Sequence, residues 1–100
     1  MQFLIKAYDG PDRLDRRMAA RPDHLSGMRA LGKRVVFAGG LLDDAGNMKG
    51  SALVMDFPDR AALDAYLEKE PYVTAGVWET IDIEPVNAVL VRGEAFESEG

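Results

Sequence analysis

The sequence predicts an α+β domain of the ferredoxin-like type, with the element order βαββαβ and an antiparallel sheet that carries two helices on one face. Three observations support this prediction. Strand segments show hydrophobic alternation with a period of two, helical segments repeat apolar residues every three to four positions, and proline- and glycine-containing turns separate them. We expect one domain over residues 1–92, followed by an acidic, flexible tail over residues 93–100.

The first strand is predicted at the start of the chain. In the segment MQFLIKAY, Phe3, Ile5 and Ala7 alternate with a second set of side chains, which is the pattern of a strand buried mostly on one face. The segment DGPD follows directly. Its aspartates, glycine and proline favour a turn, so we expect the strand to end there.

The next segment predicts helix in two pieces. A short basic helix is expected through Leu14 and Met18. Pro22 then opens the main helix, because its missing N–H costs nothing in a first turn and its φ is already helical. Gly32 is expected to end the main helix, since glycine readily adopts the left-handed conformation found after helix C-termini.

The centre of the chain predicts a β-hairpin over residues 34–57. Its strands are RVVFAGGLL and SALVMDF, and the polar segment DDAGNMKG connects them. Gly39 and Gly40 interrupt the first of these strands. Glycines inside a strand indicate either a bulge or a place where another group approaches the backbone closely.

The remaining segments supply the second helix and the last strand. The segment PDRAALDAYLEKE has apolar residues at helical spacing, namely Ala62, Leu63, Tyr66 and Leu67. Pro71 is expected to end this helix, because the residue before a proline disfavours helical backbone angles. The segment ETIDIEPVNAVLV is the last strand, and its Pro85 predicts an edge position or a bulge.

Composition limits the partners and cofactors that we expect. The net charge of -5 and the lack of a large basic cluster argue against nucleic acid. No apolar segment approaches the roughly 18 residues that span a bilayer, and the first residues lack the pattern of a signal peptide, so we expect no membrane partner and a cytoplasmic location. With no cysteine and one histidine, the chain offers few metal ligands, and we expect neither a metal nor another cofactor.

One face of the predicted sheet lacks a covering layer. Four large apolar side chains are difficult to place together on the helix side: Leu4, Tyr8, Val36 and Trp78. A domain of 100 residues also buries a relatively small fraction of its surface. A homodimer formed through the open face of the sheet would bury these side chains.

His24 is the single histidine of the chain. On a helical wheel with about 100° per residue, it lies within the apolar arc of Leu25, Met28 and Leu31 and therefore points inward. In the first turn of the main helix, the helix dipole would favour a neutral imidazole, which can accept a proton. The alternative is a structural role, in which His24 lies at the edge of the core and forms a hydrogen bond there.

Two charged residues are candidates for the same site. Glu70, at the end of the second predicted helix, could orient the imidazole, or it could be a solvated surface acid. Arg21 could bind an anionic group of a substrate through its planar set of donors, or it could pair with Asp23 or Asp12 at the surface.

The sequence resembles the YciI-like, or YCII-related domain, family. The blocks that carry the resemblance are RPDHL at 21–25, FAGGL at 37–41, and EPYVTAGVWE at 70–79 followed by IEP at 83–85. They occur in order and cover nearly the whole chain except the acidic tail. The resemblance implies a ferredoxin-like dimer of the dimeric α+β barrel type, in which the second sheet face forms the dimer interface.

The resemblance also implies a site built from a helix histidine and an aspartate that begins a D-P-Y block. His24 matches the histidine, whereas Glu70 stands where the family usually has aspartate. Most of the family has no assigned reaction, and the informative relatives include enzymes that degrade aromatic compounds, among them a dehydrochlorinase.

Two functions are consistent with these observations. The first is an enzyme without a cofactor, an isomerase or a dehydrochlorinase-like lyase, in which His24 and Glu70 act as general acid and base on a small cyclic or aromatic-derived molecule. The second is a dimeric module that binds a small ligand or another protein without turnover. Besides Arg21, the expected substrate-binding residues are Gly39, Gly40, Tyr72 and Trp78. The two aromatic residues could equally belong to the core or to an interface.

Overall fold

A four-stranded antiparallel sheet with the strand order β2-β3-β1-β4 organises the protein, whose residues 1–96 are described by a computed structural model. The elements are β1 (Gln2–Asp9), α1 (Leu14–Leu31), β2 (Val35–Leu42), β3 (Met48–Asp56), α2 (Arg60–Leu67), α3 (Pro71–Thr74), β4 (Trp78–Val86), β5 (Leu90–Val91) and β6 (Glu94–Ala95). A short 3-10 turn over Gly32–Arg34 joins α1 to β2. The predicted α+β class, with its antiparallel sheet and helices, is confirmed.

The core lies between the helices and one face of the sheet. The alternation predicted for β1 is confirmed, since Phe3, Ile5 and Ala7 are all buried. Met55 pairs with Phe3 and Leu53 pairs with Ile5, so the inner face of β3 continues the same apolar surface. Helix residues complete the core: Ala20, Met28, Leu63 and Leu67.

Helix α1 is continuous, so the predicted division at Pro22 is wrong. The helix runs for 18 residues, and Pro22 lies inside it. A proline inside a helix removes one backbone hydrogen bond. This loss is tolerated here because buried side chains on both sides of Pro22 pack on the sheet: Arg17, Ala20, His24 and Met28. The predicted end at Gly32 is confirmed, with a φ of 57°.

The hairpin of β2 and β3 forms as predicted, although its irregularities lie elsewhere. Gly39 and Gly40 pair regularly with Ala52 and Ser51, so the bulge suggested for these glycines is absent. The register shifts instead near the two ends of β2. Since paired residues share a face of the sheet, Gly39 lies on the open face and Gly40 on the helix face.

Gly50 is the glycine at which two strands approach most closely. A Cβ atom at this position would lie 2.3 Å from the carbonyl oxygen of Ala7, which is backbone and can move only with β1. We expect Gly50→Ala to lower the free energy of unfolding by about 1–3 kcal/mol, measured by urea titration. The control is Gly27→Ala on the exposed side of α1, where nothing lies within 4 Å of the added carbon. Equal stability of the two variants would contradict this prediction.

The second predicted helix begins as expected but ends at Leu67, before the expected end at Pro71. Asp59 precedes α2, and its side chain accepts a hydrogen bond of 2.8 Å from the N–H of Ala62. Leu63 and Leu67 face the core. The chain turns before Pro71, which opens the short helix α3.

The last predicted strand is shorter than expected. β4 ends at Val86 and forms one edge of the sheet, so the edge position predicted for Pro85 is confirmed. Leu90–Val91 pairs instead with Glu94–Ala95 in a separate hairpin. The predicted tail therefore begins with a short strand, and its residues 97–100 lie outside the described part of the chain.

Candidate active site

His24 and Glu70 lie in direct contact between α1 and the start of α3. The Nδ1 atom of His24 is 2.5 Å from Oε1 of Glu70. His24 is 6% exposed and Glu70 is 1% exposed. Local sequence explains the placement, because His24 is on the inner face of α1 and Pro71 fixes Glu70 in extended backbone just before α3. The alternative of a solvated Glu70 is therefore wrong.

Three donors surround the carboxylate of Glu70. Besides His24, the backbone N–H of Tyr72 donates to Oε1 over 3.2 Å, and the hydroxyl of Tyr66 donates to Oε2. Burial raises the pKa of Tyr66, and the hydrogen bond to Glu70 raises it further, so the phenol stays a neutral donor. Because a carboxylate only accepts hydrogen bonds, the proton of a neutral imidazole lies on Nδ1.

Two aromatic side chains pack against the imidazole. The ring of Tyr72 stacks on His24 with the centroids 4.0 Å apart and the planes 17° from parallel. The ring of Trp78 meets His24 edge-on at 6.4 Å. Both aromatic residues are buried on the helix side of the sheet, so Trp78 does not contribute to the open face as expected.

The helix dipole does not act on His24 in the predicted way. Because α1 begins at Leu14, His24 lies in the middle of the helix and not in its first turn. The group that acts on the imidazole is the carboxylate of Glu70. Among residues 1–96, the buried side-chain polar atom without a hydrogen-bond partner is Arg17 Nε. His24 Nε2 is not such an atom, so it retains some contact with solvent, although the residue as a whole is buried.

Two depressions described on the surface of residues 1–96 are not lined by His24. A groove of about 790 Å³ lies beyond the C-terminal end of α1, where its lining includes Leu31, Arg34 and Val35. A smaller depression of about 440 Å³ lies on the open face of the sheet and includes Leu4 and Lys6.

A second buried polar cluster lies beside the aromatic residues. Arg17 donates to both carboxylate oxygens of Asp9, at 2.9 and 3.2 Å, and to Ser51 Oγ at 2.8 Å. The indole N–H of Trp78 also donates to Ser51 Oγ, at 3.2 Å. The Arg17 guanidinium lies 4.6 Å from the ring centroid of Tyr72. Burial raises the pKa of Asp9, and the positive charge of Arg17 opposes this effect.

The sequence interpretation missed Arg17, Asp9, Ser51 and Tyr66. The available signal for Arg17 was its spacing of seven residues from His24, which places both on one face of a continuous helix. Dividing the helix at Pro22 hid this signal. Ser51 carried no signal of its own, because its contacts depend on the register between β1 and β3.

Arg21, a predicted substrate-binding residue, lies on α1 three positions before His24. Arg21 is half-buried, and within residues 1–96 it forms no ion pair with Asp12 or Asp23. Burial raises the pKa of Tyr72, and the charges of Arg17 and Arg21 oppose this effect, so Arg21 is close enough to act on Tyr72 electrostatically.

The two glycines of β2 differ in their relation to the site. Gly40 approaches it through Arg17, whose Nη2 is 3.9 Å from the position of an added Cβ. Gly39 lies on the opposite face, so the structure does not bring it to the imidazole.

Neither a metal-binding cluster nor a membrane-spanning helix occurs among the described residues. No group of three or more His, Cys, Asp or Glu side chains within residues 1–96 is placed to hold a metal ion. In the same part of the chain, no helix has the length and apolar character needed to cross a membrane.

Comparison with known proteins identifies the family. The model of the YCII-related domain matches residues 1–87. The chain belongs to the YCII-related domain family. It is 32% identical to Protein YciI of Escherichia coli O6:H1 over 98 residues, which cover 90% of this chain and all of that protein. An uncharacterized protein of Haemophilus influenzae is 30% identical over the same coverage. The resemblance predicted from the sequence blocks is confirmed.

Solved structures agree with this assignment. The 5-chloro-2-hydroxyhydroquinone dehydrochlorinase TftG of Burkholderia phenoliruptrix AC1100, solved with 2,5-dihydroxybenzoquinone, is 27% identical. Its TM-score is 0.81, and the match covers 87% of this chain and 94% of that one. An antibiotic biosynthesis monooxygenase matches with a TM-score of 0.55 at 16% identity, over 89% of this chain and 98% of that one, and shows a shared fold.

Proposed function

We propose that this protein is an enzyme in which His24, oriented by Glu70, transfers a proton on a small cyclic substrate. The observation that carries the proposal is the buried hydrogen bond between Nδ1 and Glu70, which orients the imidazole and leaves Nε2 without a hydrogen-bond partner among residues 1–96. An imidazole held in this tautomer is arranged to act as a general base. Such a base contributes about 100-fold to 10,000-fold to a rate.

For the substrate, we propose a hydroxylated six-membered ring compound. The support is the structural similarity to a dehydrochlorinase that acts on a chlorinated hydroxyhydroquinone. His24 would take a proton from the substrate, after which an anionic leaving group departs in a lyase reaction, or the proton returns to another ring atom in an isomerase reaction. Both reactions are redox-neutral and need no metal or organic cofactor.

Arg21 supplies the proposed binding group, and the aromatic residues position the imidazole. The half-buried guanidinium of Arg21 can hold a developing oxyanion with its fixed donors. Tyr72 and Trp78 are buried beside the imidazole, so in this proposal they hold its ring in place next to the substrate. Gly40 leaves space next to Arg17. We do not include Gly39 in this proposal, because it lies on the opposite face of the sheet.

The assay that tests this function offers the protein chlorinated hydroxyhydroquinones, hydroxyquinones and lactones. Substrate loss is followed by absorbance, and chloride release is measured in parallel. We expect at least one ring compound to be consumed in a reaction that depends on His24. If all compounds stay unchanged, or if consumption proceeds equally without His24, the proposed function is wrong.

Binding without turnover is the second candidate function. The burial of both His24 and Glu70 favours it, because a closed pair can stabilise the protein without touching a substrate. This function predicts saturable binding of the same ring compounds in calorimetry, with the ligand recovered unchanged. The same set of compounds therefore distinguishes the two candidates.

We also propose that the protein acts as a homodimer in the cytoplasm. The open face of the sheet exposes part of several apolar side chains, namely Leu4, Tyr8, Phe37 and Val54. Phe37 is 55% exposed and lies within this apolar patch, and such patches mark interaction sites. A second protomer would cover this face. The cytoplasmic location is consistent with a chain that contains no cysteine.

The dimer proposal predicts the behaviour of Phe37→Glu. A buried and unpaired carboxylate in the interface would oppose association, so we expect this variant to be monomeric where the wild type is dimeric. The measurement is molar mass by sedimentation equilibrium. Met18→Glu is the control, because Met18 is 48% exposed but lies on α1, away from the open face. A wild-type monomer, or a dimeric Phe37→Glu protein, would contradict the proposal.

A further inference from the structure

We infer that Tyr66 is a positioning residue that sets the proton affinity of the His24–Glu70 pair, an inference that rests on the proposed function. The structure shows the Tyr66 hydroxyl as the donor to Oε2 of Glu70, while Oε1 receives His24 Nδ1 and the N–H of Tyr72. Tyr66 does not contact the imidazole in the described interactions. It acts on His24 through the carboxylate.

The surroundings of Tyr66 hold its hydroxyl in place. Its ring packs on Phe57 at 5.6 Å between centroids, with the planes 27° apart. Tyr66 is on α2, four residues before Glu70, and the carboxylate returns over the end of the helix to meet it. A glutamate side chain has several rotatable bonds, so fixing both of its oxygens defines the direction in which it meets the imidazole.

The hydroxyl also stabilises the ionised carboxylate. Glu70 is 1% exposed, so water cannot replace a lost donor on Oε2 without a rearrangement. Hydrogen bonds to the charged form of an acid favour that form. Removing the hydroxyl therefore makes proton uptake by the pair more favourable. Because the two groups are in contact, the proton uptake belongs to the pair and is observed at His24.

Other charges near the pair do not change when the hydroxyl is removed. The charged groups described around Tyr72, which stacks on His24, are Arg17 and Arg21 on α1 and Asp9 on β1. All of them are retained in Tyr66→Phe, and phenylalanine preserves the ring that packs on Phe57. A difference between the two proteins therefore measures the contribution of the hydroxyl.

The test is an NMR titration of the imidazole, whose assignment is unambiguous because the chain has one histidine. We expect Tyr66→Phe to raise the midpoint of the His24 titration by about one pH unit. We expect Glu70→Gln to lower it, since the negative charge that favours the imidazolium is lost. Tyr8→Phe is the matched control and should leave the midpoint unchanged, because Tyr8 lies on the open face. An unchanged or lowered midpoint in Tyr66→Phe would overturn the inference.

A second variant covers the case in which Tyr66→Phe does not fold. In Tyr66→3-fluorotyrosine, the more acidic phenol is a stronger donor, so the midpoint should fall; a midpoint that stays or rises overturns the inference. The acidic limb of the kcat/KM profile provides the catalytic readout and should move to higher pH in Tyr66→Phe. Full activity of a His24 variant would instead reject the proposed function, while the titration of His24 would still report on Tyr66.

Discussion

His24→Ala is expected to reduce kcat/KM by about 100-fold to 10,000-fold on any ring compound that the wild type consumes. The variant removes the one side chain at this site that can both accept and return a proton near pH 7. The proposed binding group Arg21 remains, so we expect the substrate still to bind. We therefore expect most of the loss in kcat and a smaller change in KM.

Two further variants make this prediction specific. Glu70→Gln keeps the size of the side chain but removes the charge that orients the imidazole, and we expect a smaller loss than for His24→Ala. Arg29→Ala, on the exposed side of α1, should have wild-type activity. Circular dichroism and sedimentation confirm that each variant is folded and assembled. Wild-type kcat/KM in His24→Ala would remove the imidazole from the mechanism.

The strands could be predicted because their residues obey local rules. Phe3, Ile5 and Ala7 alternate, and a strand with this pattern buries one face whatever it packs against. Pro85 could be assigned to a sheet edge, because a proline cannot donate a hydrogen bond to a neighbour. These inferences need no knowledge of distant contacts.

The continuity of α1 could not be predicted by the same reasoning. Proline has the same local preferences at position 22 whether it opens a helix or lies within one. The helix continues through Pro22 because Arg17 and Ala20 before the proline and His24 after it pack on the same face of the sheet. The continuity of α1 therefore depends on tertiary packing. It also means that His24 lies in the middle of the helix, where the effect of the helix dipole is weak.

The candidate site was predictable in part. His24 and Glu70 stood out because both belong to sequence blocks of the family and because His24 faces the apolar side of its helix. Tyr66 belongs to the apolar spacing of α2, and nothing in that spacing shows that its hydroxyl reaches Glu70. Their contact depends on where the chain turns before Pro71, which is a matter of geometry between segments.

Arg17→Met is expected to lower the free energy of unfolding by about 3–5 kcal/mol at pH 7. Arg17 is 3% exposed and is the cation paired with Asp9, whose side chain is also buried. Methionine fills much of the volume but leaves the Asp9 carboxylate without its ion pair, and Ser51 without a donor. Urea titration at pH 7 measures the loss. Arg16→Met, one position earlier and exposed, should change stability by less than about 0.5 kcal/mol.

The pH dependence of Arg17→Met separates loss of the ion pair from loss of packing. Burial raises the pKa of Asp9 above its usual 3.8, and without Arg17 nothing described opposes that effect. A carboxyl group whose pKa is raised in the folded state stabilises the fold at a pH below its unfolded pKa, and this stabilisation is lost as the pH rises through the folded-state pKa. The free energy of unfolding of the variant should therefore be closer to that of the wild type at pH 4 than at pH 7. Adding Asp9→Asn should restore part of the stability at pH 7. A loss that is equal at both pH values, and unaffected by Asp9→Asn, would show that packing alone makes Arg17 necessary.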